Sequence, residues 1–410
     1  MKAVVFQGIG DIRLEEVPEP VIQEPTDAIV RITATAICGT DLHFVRGTVP
    51  GMKRGTILGH EGVGVIEALG ADVRNLRIGD RVLIPSTIAC GTCVYCRSGY
   101  FAQCDRANPQ GKRAGTAFFG GPEANGGFAG LQAEKARVPF AHVGLVRLPD
   151  EVSDDQAILI SDIFPTGYFG AELAEITDGD TVAVFGCGPV GQFTIASAKL
   201  FGAGRIFAVD HKADRLEMAQ RQGAEVINFN QEDPVDALLR LTDGIGVDRA
   251  IDVVGVDAES GHRHHADGAG AQWQPGDAPS QTLEWAVQGL AKAGTLSIIG
   301  VYPPTASTFP IGAAMNRNLT VKMGNCNHRK YIPALIELVR SGQIDPLAIL
   351  TQVEPLTDAV SAYKAFDQRR PGWMKVCMKP EQTSLHGQAS SRVDEALEDT
   401  FPASDAVAKY

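Results

Sequence analysis

Short apolar runs separated by glycine and polar residues characterise the first part of the chain. Runs of five or six residues lie at 28–32, 62–67 and 80–84, and each contains valine or isoleucine. Short strands with turn residues between them are typical of a β-rich, barrel-like domain. We therefore predict such a domain over residues 1–163.

From about residue 165 the pattern changes, and predicted strands alternate with predicted helices. Thr181–Phe185 is an apolar run typical of a buried strand, and an apolar helix is predicted over 190–201. This alternation predicts an α/β domain with a doubly wound parallel sheet over residues 164–302. Residues 303–380 are expected to complete the first domain. The remaining strands are predicted at 205–209, 225–229, 249–254 and 295–299, and a further helix at 213–222.

Two polar segments do not fit either pattern. Residues 261–279 are rich in glycine and show no periodicity, which predicts a surface loop. Its His262, His264 and His265 could bind a metal, but their glycine-rich surroundings favour a solvated loop. Residues 381–410 carry six acidic and two basic side chains, a net charge of −4. We expect a disordered and dispensable acidic tail, although an apolar four-residue spacing within it could contact a partner.

Composition limits the classes of function. A chain of 410 residues with 44% hydrophobic and 21% charged residues is typical of a globular protein of about two domains. The net charge of −12 opposes binding to nucleic acid. Because the sequence has no run of 18 apolar residues and no N-terminal signal peptide, we predict no membrane span and a cytoplasmic location.

A glycine-rich motif follows the strand at 181–185 and opens the next helix. It has the pattern GxGxxG, which provides a tight turn, a close approach to a pyrophosphate, and close packing of helix on strand. Asp210 ends the next predicted strand, where a carboxylate binds the adenosine ribose of NAD and repels the 2′-phosphate of NADP. A glycine turn in some other α/β protein is the alternative. The cofactor-binding residues predicted for this Rossmann-type domain are Gly186, Gly188, Pro189, Val190, Gly191, Asp210 and Arg215.

Four cysteines lie within the segment 88–106 in the pattern C-x2-C-x2-C-x7-C. Four thiolates on one loop fill the tetrahedral shell of a structural zinc ion. Free or disulfide-bonded cysteines are one alternative. A nucleic-acid-binding zinc ribbon is another, but few basic residues lie nearby. The predicted ligands are Cys90, Cys93, Cys96 and Cys104.

A second set of polar residues is spread along the first domain. Cys38 is followed by Thr40 and His43, and His60 by Glu61. Each residue alone has an ordinary explanation; a lone cysteine, for example, is usually a small buried apolar residue. Together they offer the thiolate, imidazole and carboxylate donors that zinc accepts.

The segment 59–64, with Gly70 and Val73 after it, resembles the signature of the zinc-containing medium-chain alcohol dehydrogenases. The second polar set, the cysteine segment and the glycine-rich motif occur in the order typical of that family. The resemblance covers residues 1–380, and the combined motifs are highly specific. It implies a catalytic domain, a cofactor domain, two zinc ions per chain and NAD.

In that family the third ligand of the catalytic zinc precedes the nucleotide domain and is often cysteine. The corresponding segment 159–168 has no cysteine and contains Asp162. This resembles the glutathione-independent formaldehyde dehydrogenase branch, in which aspartate is the ligand. The resemblance therefore implies a catalytic zinc held by Cys38, His60 and Asp162, with a fourth position open. Asp162 as a helix cap is the alternative.

The resemblance also implies roles for nearby residues in hydride transfer between NAD and a small alcohol or aldehyde. Thr40 and then His43 would carry the proton to the surface, and Glu61 would lie close behind the zinc. A turn hydroxyl and a solvated histidine are the alternatives for the first two. Asp41 could fix the tautomer of His60.

Three further expectations remain open. One is a formaldehyde dehydrogenase or aldehyde dismutase with tightly retained NAD. Another is a relative that binds nucleotide without turnover, which the joint presence of Cys38, Thr40, His60 and Asp162 opposes. The family resemblance also suggests a homodimer or homotetramer paired through the cofactor domains.

Overall fold

The computed structural model describes residues 1–260 and 273–380. The tail 381–410 and most of the loop predicted at 261–279, with its three histidines, lie outside the described residues. No helix in the described ranges is long and apolar enough to cross a membrane.

Sixteen strands and twelve α-helices occur in the described ranges, with four short 3-10 helices between them. The strands are β1 Lys2–Gly8, β2 Asp11–Glu16, β3 Ala28–Ile37, β4 Thr56–Ile57, β5 Gly62–Leu69, β6 Arg81–Ile84, β7 Lys135–Val138, β8 Val146–Arg147, β9 Thr181–Phe185, β10 Arg205–Asp210, β11 Glu225–Asn228, β12 Val247–Asp252, β13 Leu290–Ile298, β14 Thr320–Met323, β15 Gln352–Pro355 and β16 Val376–Lys379. The helices are α1 Gly39–Arg46, α2 Val94–Arg97, α3 Ala141–Gly144, α4 Asp154–Ile160, α5 Ile163–Leu173, α6 Pro189–Leu200, α7 Ala213–Arg221, α8 Pro234–Leu241, α9 Gln281–Gly289, α10 Ile311–Asn316, α11 His328–Arg340 and α12 Ala359–Asp367.

The cofactor domain contains a six-stranded parallel sheet in the order β11-β10-β9-β12-β13-β14. This is the doubly wound arrangement predicted from the alternation of strands and helices. Both faces of the sheet are covered, so alternate residues of one strand enter different cores. Ala183 and Phe185 of β9 pack in one hydrophobic cluster, whereas Val182 and Val184 pack in the other.

The boundary expected at residue 302 falls too early. Strand β14 pairs in parallel with β13, with Thr295 opposite Thr320, so the cofactor sheet continues to residue 323. The chain returns to the first domain only afterwards. There β15 and β16 pair with each other, and β16 pairs with β3, with Val376 opposite Ile37.

The first domain is β-rich, as the sequence predicts. Its larger sheet has the order β15-β16-β3-β5-β6-β8, with β7 also paired to β3, and a smaller sheet has the order β2-β1-β4. The long strand β3 is central to the larger sheet and is buried along most of its length. Because β3 ends immediately before Cys38 and β5 begins immediately after Glu61, the sheet brings these two sequence segments together.

Candidate active site

A cavity of about 490 Å³ lies between the two domains. Its walls include the predicted zinc ligands Cys38, His60 and Asp162. They also include Gly186 of the glycine-rich motif and Asp210 at the end of β10. Residues separated by 172 positions along the chain therefore face one enclosed volume. A concave site with few convergent polar groups is typical of ligand binding.

Asp41 links the segment of Cys38 to that of His60. Cys38 precedes helix α1, and its backbone N–H donates to Asp41 Oδ2 at 3.0 Å. Asp41 Oδ1 lies 3.2 Å from His60 Nδ1, and Gln132 donates to Asp41 Oδ2 at 3.3 Å. Since Nδ1 faces this carboxylate, Nε2 of His60 is the ring nitrogen directed at the cavity. Asp41 thus lies where a partner of His60 was expected.

Asp162 precedes helix α5, but its side chain makes no capping hydrogen bond. Its Oδ2 lies 3.6 Å from Cys38 Sγ and 3.3 Å from His60 Nε2. The alternative that Asp162 is a helix cap is therefore not supported by the geometry. Instead the carboxylate faces the thiol and the imidazole.

The carboxylate and imidazole groups of the site shift one another's pKa values. Burial alone raises the pKa of Asp162, but hydrogen bonds from His328 and His60 outweigh it and hold the pKa well below its usual value. Burial alone lowers the pKa of His60, but the carboxylates of Asp41 and Asp162 outweigh it and raise the pKa well above its usual value. The carboxylates and imidazoles of the site thus stabilise one another's charged forms.

Glu61 adds a further carboxylate beneath the site. Its Oε1 accepts a hydrogen bond of 2.6 Å from Lys375 Nζ, and both side chains are fully buried. Lys375 also donates to the Ile37 carbonyl at 3.0 Å. Within the described part of the chain Glu61 Oε2 is buried and has no hydrogen-bond partner. A buried carboxylate oxygen without a hydrogen-bond partner indicates that a cation binds nearby.

Zinc fits this donor set. One ligand atom from each of Cys38, His60, Glu61 and Asp162 lies within 4.8 Å of the others. Ligand atoms about 2.0–2.3 Å from a tetrahedral zinc ion are roughly 3.3–3.8 Å from one another. The separations of 3.3 and 3.6 Å measured from Asp162 Oδ2 agree with this spacing. Thiolate, imidazole and carboxylate are the usual donors of catalytic zinc.

The four cysteines of the segment 88–106 converge in the same way. Their sulfur atoms lie within 4.8 Å of one another, and all four cysteines are free. Cys93 Sγ and Cys104 Sγ are 4.0 Å apart, which is too far for a disulfide bond. Burial alone raises the pKa of Cys90, but hydrogen bonds from Thr92 and from backbone N–H groups outweigh it and lower the pKa to about 6. Four converging sulfur donors of this kind also fit zinc.

Thr40 and His43 both line the cavity from helix α1. Thr40 Oγ1 lies 3.9 Å from Cys38 Sγ. His43 is only 6% exposed, and its Nδ1 lies 3.0 Å from Asp257 Oδ2. The expectation that His43 reaches the surface is therefore wrong, and so is the alternative of a solvated histidine. His43 is instead held inside the molecule by a carboxylate of the cofactor domain.

The glycine-rich motif contains positions that only glycine can occupy. Gly186 has φ of +97°, which is favourable only for glycine, and a Cβ at Gly191 would clash with the Gly186 carbonyl. A Cβ at Gly188 would meet only the guanidinium of Arg215. Pro189 is the first residue of α6, and the first turn of this helix lines the cavity.

Asp210 ends β10 on the opposite side of this loop. Its carboxylate accepts backbone N–H bonds from Cys187 at 2.8 Å, His211 at 2.7 Å and Lys212 at 3.0 Å. Burial alone raises the pKa of Asp210, but Arg215 and His211 outweigh it and lower the pKa. Asp210 therefore remains negatively charged in the cavity wall.

Sequence reasoning missed three residues of this site: His328, Lys375 and Asp257. His328 Nε2 lies 2.7 Å from Asp162 Oδ1, and the other two contact Glu61 and His43. None belongs to a motif with recognisable spacing, because each reaches the site only through the tertiary fold. An isolated histidine, lysine or aspartate gives no signal in a single sequence.

Comparison with known proteins agrees with this geometry. Residues 24–150 match the family described as alcohol dehydrogenase GroES-like domain, and residues 189–261 match that of the zinc-binding dehydrogenases. An uncharacterised zinc-type alcohol dehydrogenase-like protein of Bacillus subtilis, AdhB, is 38% identical over 384 residues, 93% of this chain and 100% of that protein. This chain belongs to the zinc-type alcohol dehydrogenase family. It is accordingly a zinc-dependent oxidoreductase of the medium-chain dehydrogenase class.

Other members extend the comparison. An alcohol dehydrogenase of Cupriavidus necator is 38% identical over 93% of this chain and 99% of its own length. The glutathione-independent formaldehyde dehydrogenase of Pseudomonas aeruginosa is 33% identical over 90% of this chain and 96% of its own length. Among solved structures, alcohol dehydrogenase TADH from Thermus sp. ATN1 has a TM-score of 0.78 and 36% identity, covering 92% of this chain and 99% of its own.

Proposed function

We propose that this member of the family transfers a hydride between NAD and a small alcohol or aldehyde, with one catalytic and one structural zinc ion per chain. The observation that carries the proposal is the shared cavity. It joins the donors Cys38, His60 and Asp162 to the glycine-rich motif and Asp210. Substrate oxygen and nicotinamide can therefore meet in one enclosed space.

When bound, zinc supplies Lewis acidity and the nicotinamide supplies the hydride acceptor. Residues of the chain transfer the proton of the substrate hydroxyl. Thr40 accepts the proton of the substrate hydroxyl while its own hydroxyl proton passes to His43, on the same face of helix α1, since residues three apart are neighbours on a helix. Asp257, 3.0 Å from His43 Nδ1, stabilises the imidazolium that forms. The alcohol thus becomes an aldehyde, NAD is reduced, and one proton is left on His43.

Asp210 supports the choice of NAD, and Arg215 supports the binding of a dinucleotide. The charged carboxylate of Asp210 suits the two ribose hydroxyls and opposes a 2′-phosphate. Gly188 leaves the space under the Arg215 guanidinium free, where a pyrophosphate or ribose oxygen can be bound. Pro189 and Val190 begin helix α6 in the cavity wall, so phosphate oxygens can accept its first free N–H groups.

The direct test is to follow absorbance at 340 nm with purified protein, NAD and a panel of short alcohols, alongside elemental analysis. We expect NADH formation and two zinc ions per chain. NADP is the matched control and should be the weaker cofactor. One zinc ion or none, without prior chelation, would contradict the metal assignment, and no NADH with any alcohol would contradict the activity.

An aspartate as the third donor favours a second candidate, a formaldehyde dehydrogenase or aldehyde dismutase with tightly retained NAD. The 33% identity to the Pseudomonas aeruginosa formaldehyde dehydrogenase supports it. In dismutation one formaldehyde is oxidised to formate while another is reduced to methanol, so no external cofactor is consumed. Formate and methanol formed from formaldehyde alone, with NAD recovered from the denatured protein, would identify this candidate.

A homodimer or homotetramer is proposed as the working assembly. Strand β14 is the last strand of the cofactor sheet, and Met323 at its end is 64% exposed. Ile311 and Met315 of the neighbouring α10 are 73% and 79% exposed. A strand edge with exposed apolar side chains beside it suits pairing with a second copy. Sedimentation at micromolar concentration should give the mass of two or four chains.

A further inference from the structure

His328 is a buried histidine that contacts a candidate zinc ligand from a distant part of the chain. It begins helix α11 and is 4% exposed. Its Nε2 lies 2.7 Å from Asp162 Oδ1, and its Nδ1 lies 3.2 Å from Thr87 Oγ1. Both ring nitrogens therefore have polar partners, although the ring lies in the cavity wall.

These partners determine the tautomer. A carboxylate oxygen can only accept, so Nε2 of His328 carries the proton and donates it to Asp162 Oδ1. In the neutral ring Nδ1 is then the acceptor, and the Thr87 hydroxyl donates to it. The result is a directed chain of hydrogen bonds from Thr87 through His328 to Asp162. Such chains fix the orientation of each ring and carboxylate along them.

The two oxygens of Asp162 face different sides. Oδ2 faces Cys38 Sγ and His60 Nε2 at 3.6 and 3.3 Å. Oδ1 accepts hydrogen bonds from His328 at 2.7 Å and Thr166 at 3.3 Å. Oδ1 is thus held by hydrogen bonds from the protein, whereas Oδ2 faces the other proposed zinc ligands, Cys38 and His60.

We propose that His328 is a positioning residue that holds Asp162 by Oδ1, so that Oδ2 is presented to the catalytic zinc. The proposal rests on Asp162 being a zinc ligand, as in the proposed function. Without the hydrogen bond from His328, the carboxylate can rotate about its χ angles and lose the geometry that the metal requires. His328 would then affect metal retention without itself binding the metal.

The position of His328 is itself fixed by its chain neighbours. Asn327 accepts a hydrogen bond of 2.9 Å from the Ala102 N–H in the cysteine segment. Arg329 donates to the Val143 carbonyl at 2.7 Å. The first turn of α11 is therefore tied to two separate segments of the first domain. Because these contacts hold the start of α11 in place, the His328 ring can fix the orientation of the Asp162 carboxylate.

Two substitutions at His328 distinguish a role in positioning Asp162 from a role in packing alone. His328→Leu fills similar space without a donor, whereas His328→Gln keeps an N–H donor that can reach Asp162. His142→Leu, at a histidine outside the cavity wall, is the matched control. The readouts are zinc retention against a chelator and the absorption spectrum of protein carrying cobalt in place of the catalytic zinc, because that spectrum reports ligand geometry without turnover.

We expect His328→Leu to weaken catalytic zinc binding about 10- to 100-fold and to shift the cobalt spectrum, while the cysteine segment keeps its zinc. His328→Gln should restore zinc binding to within about threefold of the parent, and His142→Leu should change neither readout. Retained zinc in the cysteine segment with a small change in Tm shows that the variants fold.

The proposal is overturned if His328→Leu retains catalytic zinc like the parent, or if His328→Gln is as defective as His328→Leu. Failure of the proposed function gives a different result. In that case the parent protein itself holds only the zinc of the cysteine segment, and neither variant can change a second zinc ion. The measurements on the parent therefore distinguish the two failures.

Discussion

At the residue scale, the carboxylate of Asp162 has two different environments within one side chain. Its Oδ2 faces the thiol of Cys38 and the imidazole of His60, and its Oδ1 faces His328. Aspartate is shorter than glutamate and has fewer rotatable bonds than most polar side chains, so contacts at both oxygens leave it little freedom. This is the geometry expected of a rigid metal ligand.

Asp162→Ala should abolish turnover and reduce bound zinc from two ions per chain to one, because Cys38 and His60 alone do not hold the catalytic metal. Elemental analysis and the assay at 340 nm measure both effects. Asp72→Ala, at an exposed aspartate, is the matched control and should keep both zinc ions. Near-normal turnover with two zinc ions in Asp162→Ala would assign the third ligand to another residue.

Asp210→Ser should shift cofactor preference toward NADP. Asp210 is charged and buried beside the site expected for the ribose, so removing the carboxylate removes its repulsion of a 2′-phosphate. We expect kcat/KM for NADP to rise at least about tenfold relative to that for NAD. Steady-state kinetics with both cofactors test this. Equal use of NAD and NADP by the unchanged enzyme would contradict the role of Asp210.

At the element scale, local sequence predicts the elements that depend on local patterns. The bounds predicted for β9, Thr181–Phe185, match the structure because a buried apolar run between turn residues has few alternatives. The helix predicted at 190–201 begins one residue earlier, because Pro189 is favourable in the first turn. Strand β14 was not predicted, since the half-buried and exposed residues of 320–323 lack the apolar pattern of a central strand.

Residues of the candidate site could likewise be predicted only where the local sequence forms a motif. Cys38, His60 and the four clustered cysteines could be predicted because their motifs have characteristic spacing. His328 and Lys375 could not, since helix α11 and strand β16 bring them to the site over 166 and 314 residues. His43 was identified, but its burial against Asp257 depends on how the two domains contact each other.

The cysteine segment between β6 and β7 contains little regular structure, only α2 and a short 3-10 helix. We therefore expect its fold to depend on bound zinc. A double variant, Cys93→Ser with Cys96→Ser, should lose one zinc ion, keep the catalytic one and show a clearly lower Tm. Asp162→Ala is the reciprocal control, because it should lose the other zinc ion. Two zinc ions in the double variant would contradict the assignment.

At the scale of the whole molecule, a buried network of charges connects the two domains across the cavity. Asp257 of the cofactor domain lies 2.5 Å from Arg46 Nη1 and 3.0 Å from His43 Nδ1, both on α1. Arg46 also contacts Asp367, at the end of α12, at 2.8 Å. One arginine thus links three elements around the cofactor side of the cavity.

This network predicts how stability depends on pH. Burial alone raises the pKa of Asp257, but His43 and Arg46 outweigh it and hold the pKa well below its usual value. A depressed folded-state pKa contributes stability that is complete above about pH 5 and is lost as the pH falls below about 4, where the unfolded state takes up the proton. The contribution therefore disappears in acid and not in base.

Asp257→Asn should lower stability at pH 7 by about 3 kcal/mol, because Arg46 loses a buried counter-charge. The difference in Tm between parent and variant should be constant from about pH 7 to pH 5 and should shrink below about pH 4. Thermal unfolding at a series of pH values measures it, with Asp72→Asn as the control at an exposed aspartate. A difference that grows as the pH falls would contradict this account of the pair.

The pairing of β16 with β3 has a consequence for the order of events during synthesis. All six strands of the cofactor sheet lie between residues 181 and 323, so this sheet can form while the rest of the chain is still on the ribosome. The larger sheet of the first domain must wait for residues 352–379, and Lys375, the buried counter-charge of Glu61, arrives with them. The donors Cys38, His60 and Asp162 are translated early but are enclosed last. We therefore expect the nascent chain to acquire its catalytic metal only after residues 352–379 have left the ribosome.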